Sequence, residues 1–170
     1  IDGGLTHHEV RRLSQQLLVA GHETTASLIS LMLYRLIERP ELVAQLRSNP
    51  ELIPSAVEEF LRFDSPVQGL FRTNPEPSTV RDEVLPAGSR MQVLFASANR
   101  DPREFGPDAD ELDIERRPRQ ILTFGSGAHH CLGAAAARLM ARVTIEEVLA
   151  RCPDFSVDEA SAQFAPGHFV

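Results

Sequence analysis

One cysteine in a glycine-rich loop is the feature of this sequence best suited to chemistry. Cys131 lies in the run FGSGAHHCLG, which holds three glycines and two adjacent histidines. Glycines let a backbone bend sharply and approach a flat object closely. The alanine-rich segment that follows has helical apolar spacing, and a thiolate at a helix N-terminus is stabilised by the dipole and by free N–H groups. The loop therefore predicts a sulfur held as an anion toward a planar, electrophilic partner.

Other interpretations of Cys131 stay open on this segment alone. A lone cysteine is commonly a small buried hydrophobe. A nucleophile paired with His129 or His130 would need a geometry that close neighbours in sequence rarely reach. A zinc site would need more ligands than the only other cysteine, Cys152, supplies. The glycines could cradle a phosphate, but the lysine and hydroxyl residue of a P-loop do not follow them.

A second group of polar residues lies inside an apolar stretch. Glu23 and Thr24 fall in VAGHETTASLISLML, a segment with helical spacing. An acid and a hydroxyl there cost free energy unless they find partners. Either the threonine hydroxyl bonds its own helix backbone, or the pair forms a proton relay that lines a cavity. We interpret His22 as a pocket wall or a satisfied core histidine.

Two pairs of charged residues have both an ordinary and a functional interpretation. Glu59 and Arg62 share one face of a predicted helix. Their spacing alone favours a surface pair worth about 0.2–1 kcal/mol; the alternative is a buried pair that locks the following segment beneath the cysteine loop. Arg72 on a predicted strand and His129 beside the cysteine are candidate carboxylate partners, and each is otherwise an ordinary surface residue.

Five arginines flank the cysteine loop in a chain whose formal net charge is −7. Arg116, Arg117 and Arg119 precede the loop, and Arg138 and Arg142 lie one helical turn apart after it. Charges at this spacing usually form a solvated helix face. Beside a cofactor they would instead form a docking patch that attracts an acidic partner.

The composition limits the classes of function. The 170 residues are 42% hydrophobic, enough for the core of one domain. The acidic balance argues against a nucleic-acid partner, and two cysteines make no disulfide framework, which fits a reducing cytosol. No apolar run approaches the ~20 residues that span a bilayer. The sequence opens on Ile1, so the lack of a leader segment carries little weight.

The first third of the chain predicts helices. Thr6 and Glu9 form a capping box, and the helical pattern continues to Arg39, roughly 50 Å at 1.5 Å per residue. The AGHETT segment within it predicts a kink or a widened groove. A short helix over 40–48 follows, and Asn49 is expected to cap another that ends at Asp64.

The middle predicts strands at 67–73, 78–82 and 89–93, with a turn at 85–88. A brief helix in FASANRDP ends at Pro102, and the segment 102–120, rich in proline and charge, predicts a surface meander. The helix after the cysteine should end near Arg151. Short strand and turn signals close the chain.

Taken together, four segments in this order resemble the cytochrome P450 family, the haem-thiolate monooxygenases. They are AGHETT at 20–25, the pair Glu59 and Arg62, ANRDP at 98–102, and F-G-x-G-x-H-x-C-x-G at 124–133. The soluble bacterial branch is the most similar. The resemblance implies a mainly α fold with small β-sheets, in which residues 1–170 form a single partial domain. That domain would be the C-terminal portion of a chain of roughly 400 residues, well above the usual single-domain size.

The resemblance also implies roles for individual residues. Cys131 would bind the iron of haem b, Phe124 would shield the thiolate, and His129 and Arg72 would bind the haem propionates. Four small residues would add haem contacts: Ala20, Gly125, Gly127 and Gly133. Glu59 and Arg62 would form the buried charge pair of the family. Glu23, where aspartate is commoner, and Thr24 would deliver protons to bound oxygen. The substrate pocket would include Val19, Val67, Gly69 and Leu70.

The function implied is activation of O2 and insertion of one oxygen atom into a small organic substrate in the cytoplasm. Electrons would come from a separate ferredoxin or flavoprotein, because no flavin or nicotinamide motif is present. Arg116, Arg138 and Arg142 would form the surface patch for that donor. The alternatives are a haem-binding sensor or carrier without turnover, and a peroxide-driven haem-thiolate enzyme.

Overall fold

The computed structural model describes residues 4–158 and 160. It is mainly helical with two small antiparallel sheets, as the sequence predicts. The helices are α1 His7–Glu38, α2 Pro40–Ser48, α3 Ile53–Asp64, α4 Phe95–Ala98, α5 Pro102–Phe105 and α6 Ala134–Arg151, with 3-10 turns at Pro50–Leu52 and Gly127–His129. The strands are β1 Gly69–Thr73, β2 Ser78–Val80, β3 Glu83–Leu85 and β4 Arg90–Leu94.

The long helix α1 begins at the predicted capping box. The Thr6 hydroxyl accepts from the Glu9 amide at 3.3 Å, and the Glu9 carboxylate accepts from the Thr6 amide at 2.7 Å. The buried residues of α1 all lie in its C-terminal half, at positions 25, 28, 32 and 36. By length and composition alone, α1 is the one described helix that could cross a membrane. That is weak evidence for a membrane span, because core helices of soluble proteins and signal sequences have the same length and composition.

The expected helix cap at Asn49 is wrong. Its side chain donates backward to the Gln45 carbonyl at 3.2 Å and so closes α2. Pro50 restricts the residue before it to extended backbone, and a 3-10 turn separates α2 from α3. Helix α3 starts only at Ile53, with Pro54 in its first turn, where the missing N–H costs nothing.

The two sheets contain one strand that the sequence did not predict. Strands β1 and β4 pair with Gly69 opposite Leu94, and β2 pairs with β3. Strand β3 was missed because the turn before it uses Arg81 in the left-handed region, at φ +53°, where glycine or asparagine is the usual signal. The short helix α5 was also missed inside the meander; the Asp101 side chain caps it by accepting from the Arg103 amide at 2.9 Å.

The core lies where α1, α3 and α6 pack together. Leu28 and Met32 of α1, Phe60 of α3, and Ala141 and Ile145 of α6 are each at most 1% exposed. Helix α6 ends at Arg151, as predicted. The strand and turn signals near the end of the chain fall largely outside the described residues. The packed helices form a rigid base for the loop that carries the cysteine.

Candidate haem-thiolate site

The cysteine loop, residues 124–133, closes on itself through backbone hydrogen bonds. The Phe124 carbonyl accepts from the Cys131 amide at 2.8 Å. Gly125 and Gly127 have φ values of +66° and +64°, in the left-handed region that favours glycine. The His130 amide donates to the Gly127 carbonyl at 3.0 Å and completes a 3-10 turn. The glycines therefore set the curvature that leaves Cys131 at the rim of the loop.

Buried polar side chains anchor the residues just before this loop to α3. The Thr123 hydroxyl donates to the Leu61 carbonyl at 2.6 Å. Asn99 is fully buried; its amide donates to Thr123 at 2.9 Å and to Ser65 at 2.8 Å, and its oxygen accepts from the Leu122 amide at 2.7 Å. The ANRDP motif is recognisable in the sequence, but this role of its asparagine is not. An asparagine with each polar atom satisfied holds its neighbours in one arrangement.

The Glu59–Arg62 pair is buried, which decides between the two interpretations of its spacing. Both side chains are 0% exposed, and two hydrogen bonds of 2.7 Å join the guanidinium to the carboxylate. The remaining donors of Arg62 reach three backbone carbonyls, those of Asn99 at 2.8 Å, Ala109 at 2.7 Å and Glu111 at 2.9 Å. The pair thus fastens the meander, residues 102–120, onto α3.

Arg116 does not belong to a surface patch, contrary to the sequence prediction. Its side chain is 10% exposed and its Nε lies 3.2 Å from Glu59 Oε1. It also donates to the Phe105 carbonyl at 2.9 Å and to the Asp108 carboxylate at 3.0 Å. The hydrogen bond from Arg116 lowers the pKa of Asp108. Glu59 Oε1 also accepts from Arg62 and from the Asp113 amide. An ionised carboxylate can accept several donors, so Arg116 joins the buried network.

Cys131 and its neighbours in the loop fit a haem better than a metal ion bound by protein side chains alone. Cys131 is exposed and Leu132 is 89% exposed, whereas Phe124 at the base of the loop is 9% exposed. No group of three or more His, Cys, Asp or Glu side chains suited to a metal ion occurs in residues 4–158 and 160. A single thiolate suffices where a porphyrin supplies the other ligands, and the exposed leucine beside it offers apolar contact to a flat ring.

The candidate propionate partners lie on separate elements. Arg72 is half-buried on β1 and donates to the Phe71 carbonyl at 2.9 Å. His129 is exposed at the end of the 3-10 turn in the cysteine loop. Their part in binding haem stays a prediction.

Glu23 and Thr24, the residues of the predicted proton relay, lie near the middle of α1. Thr24 is half-buried and its hydroxyl donates to the Ala20 carbonyl at 2.6 Å, the backbone bond that the sequence analysis weighed against a relay. Glu23 and Ala20 are exposed. The hydroxyl oxygen keeps its acceptor capacity, so the backbone bond leaves Thr24 able to join a proton path.

The predicted pocket residues do not surround one enclosed space in the described part of the chain. Val19 and Leu70 are 57% and 44% exposed, and Val67 is half-buried. Gly69 is buried against β4, where an added Cβ would come within 2.6 Å of the Val93 carbonyl oxygen. That glycine is required for close strand pairing, whatever else it contacts.

Comparisons with known proteins agree on one family. The family model described as "Cytochrome P450" matches residues 2–163. "Cytochrome P450 130" of Mycobacterium tuberculosis is 50% identical over 154 residues, which are 91% of this chain and 38% of the relative. "Cytochrome P450 monooxygenase PikC" of Streptomyces venezuelae is 41% identical over 167 residues, 98% of this chain and 39% of the relative. The chain spans about two fifths of the length of these relatives.

Solved structures match the arrangement of the elements as well. CYP109E1 from Bacillus megaterium, in a complex with testosterone, matches with a TM-score of 0.91 at 38% identity, covering 100% of this chain and 48% of that chain. CYP109Q5 from Chondromyces apiculatus matches with a TM-score of 0.82 at 43% identity, covering 88% of this chain and 39% of that chain. The first similarity covers the whole chain and therefore includes α3, the meander and the cysteine loop.

Proposed function

The chain belongs to the cytochrome P450 family, and we propose that residues 1–170 form the C-terminal, haem-binding portion of a longer bacterial monooxygenase. The proposed reaction activates O2 and inserts one oxygen atom into a small organic substrate, with electrons from a separate redox protein. The observation that carries it is Cys131, exposed at the rim of a loop that a buried network fastens to α3. Two free cysteines support a cytoplasmic location.

Haem b, when bound, supplies the electron transfer and the oxygen chemistry. Cys131 would bind the iron through its sulfur and donate electron density that favours O–O cleavage. Phe124 at the base of the loop would shield that sulfur from water. Gly125 and Gly127 would leave room for the ring. Arg72 and His129 would hold the propionates by charge-assisted hydrogen bonds.

The chain's own proton path would use Glu23 and Thr24. The Glu23 carboxylate is exposed and can exchange protons with solvent. The Thr24 hydroxyl donates to the Ala20 carbonyl, and rotation about one bond would free its hydrogen for another acceptor in the proton path. A positioned donor of this kind typically contributes about 10²–10⁴-fold to rate.

Turnover with isotope-labelled dioxygen tests the proposed function. The full-length protein would be supplied with a ferredoxin, its reductase and a set of small organic substrates, and the products examined by mass spectrometry. We expect one labelled oxygen atom per product. Haem binding without product or reductant consumption would favour a sensor or carrier. Label that enters only from labelled peroxide would favour the peroxide-driven enzyme.

Replacement of Thr24 by alanine should uncouple reductant consumption from product formation. The alanine variant would lack the hydroxyl proposed to position the proton, so we expect severalfold less product per reductant and more released peroxide. Haem content should stay at the wild-type level. Thr24→Ser keeps the hydroxyl and should restore much of the coupling. Equal coupling in the alanine variant would mean that Thr24 only stabilises its helix.

Arg142 is the arginine of the predicted patch best placed to meet an electron donor. Only 10% of the Arg116 side chain is exposed, and Arg138 is held by Glu58, whereas Arg142 is 52% exposed in a pair with Glu146. An acidic ferredoxin or flavoprotein would be steered to it, and steering of this kind can change association rates by 10-fold or more. We expect slower reduction as salt shortens the Debye length to ~8 Å, and slower still in Arg142→Glu. If the rate of reduction changed neither with salt nor in Arg142→Glu, Arg142 would not be part of the surface that binds the electron donor.

A further inference from the structure

Arg138 connects the cysteine loop to two helices. It lies on α6, with its guanidinium carbon 4.4 Å from the centre of the Phe124 ring. The same guanidinium forms a two-point ion pair with Glu58 on α3, in which Nη2 lies 3.0 Å from Oε2 and Nε bonds the other oxygen. The arginine is 37% exposed and the glutamate 28%. A bidentate pair stacked on a ring is among the most directional contacts that a side chain makes.

Phe124 links Arg138 to Cys131. Its ring is 9% exposed and lies under the guanidinium. Its carbonyl accepts the Cys131 amide at 2.8 Å. A stack that holds the Phe124 side chain in place also restrains the backbone of the same residue, whose carbonyl orients Cys131, and so limits the positions available to the sulfur.

Arg138 also places charge beside the cysteine loop, because its guanidinium lies over the ring of Phe124, whose carbonyl accepts from the Cys131 amide. The hydrogen bond to Glu58 raises the pKa of Arg138, against the opposing effect of burial. Glu58 offsets part of the positive charge. The one-turn spacing of Arg138 and Arg142 predicts a donor-docking patch, but it gives no sign of the contact between Arg138 and Phe124.

We propose that Arg138 is a positioning residue for the haem thiolate: stacked on Phe124 and balanced by Glu58, it holds Cys131 in place and sets the charge beside the cysteine loop. The inference rests on the proposed function, since it presumes that Cys131 binds haem iron. Interactions around metal ligands are known to tune both the affinity and the redox potential of the metal.

The haem reduction potential of the full-length holoprotein distinguishes an effect of the Arg138 and Glu58 charges from a mere loosening of the cysteine loop. Glu58→Gln leaves the arginine charge unbalanced and should shift the potential to more positive values. Arg138→Gln leaves the glutamate unbalanced and should shift it to more negative values. A loop that is merely loosened would move the potential in the same direction in both variants.

Arg138→Lys tests the stack, because it keeps the charge but loses the planar, bidentate contact. Its potential should stay near wild type, while cysteinate ligation, followed by the red-shifted Soret band of the reduced carbonyl complex, should be lost severalfold faster on warming. The exposed Arg151–Glu147 pair on the same helix supplies matched controls. Neither Arg151→Gln nor Glu147→Gln should change the potential or the ligation.

Shifts of the same sign in Glu58→Gln and Arg138→Gln, or no shift in either, would overturn the inference. So would a lysine variant that keeps the band as long as wild type does. These outcomes presuppose a wild-type protein with the cysteinate band. If the wild type itself lacks that band, the proposed function fails, and the two failures are therefore distinguishable.

Discussion

Replacement of Cys131 by serine should abolish the red-shifted Soret band that a cysteinate-ligated haem shows when reduced and bound to carbon monoxide. A serine hydroxyl at this position is a harder, weaker donor and does not push electron density onto iron as a thiolate does. The loop should keep its shape, because the Phe124 carbonyl contacts the amide of residue 131 and not its side chain. The loss should therefore concern ligation and turnover more than folding.

Cys152→Ser is the matched control for this result. Cys152 is the other cysteine of the chain and lies at the C-terminal end of α6, where its carbonyl accepts from Arg47 at 2.7 Å. That contact uses the backbone, so the serine variant should keep the band and the activity. A Cys131→Ser protein that retains the red-shifted band, or a Cys152→Ser protein that loses it, would show that the ligand has been assigned to the wrong residue.

The parts of the fold that follow local rules could be predicted from the sequence. The start of α1 depends on Thr6 and Glu9, three residues apart, and its end on Pro40. The turn before β3 depends instead on Arg81 in a left-handed conformation, to which its residue type gives no clue. Local chemistry predicts an element when the residues that cap or break it are specific to that conformation.

The buried charge network could be predicted only in part. A pair at i, i+3 has the same sequence pattern whether it is exposed or buried. The pair here is buried because it lies on α3, in which nine of the twelve residues are buried. The apolar neighbours in FLRF were the available signal. Arg116 reaches Glu59 across 57 positions of sequence, and Arg138 reaches Glu58 across 80. Contacts at that separation depend on how the helices pack, which no local pattern reveals.

Replacement of Arg62 by alanine should prevent the accumulation of folded, haem-loaded protein. The change would leave the backbone carbonyls of Asn99 and Ala109 without their donor and remove the closest counter-charge of a fully buried carboxylate. Removal of one partner of a buried pair costs about 3–5 kcal/mol, a large fraction of the ~5–15 kcal/mol by which a folded protein is stable. Glu59→Ala should be comparably damaging, because it leaves Arg62 and Arg116 facing each other without the carboxylate and the Asp113 amide without its acceptor.

The half-buried i, i+3 pair Arg35–Glu38 supplies the comparison, since it joins the same two residue types at 2.9 Å. Glu38 is 36% exposed, so Glu38→Ala should cost at most about 1 kcal/mol. The yield of soluble holoprotein and the midpoint of thermal unfolding would be measured for all three variants. The Arg62 and Glu59 variants should fall far below Glu38→Ala in both quantities. Only in those two variants is the remaining charged partner fully buried, so that water cannot replace the lost hydrogen bonds. An Arg62→Ala protein as stable and as fully loaded with haem as Glu38→Ala would mean that the network around Glu59 does not hold the meander in place.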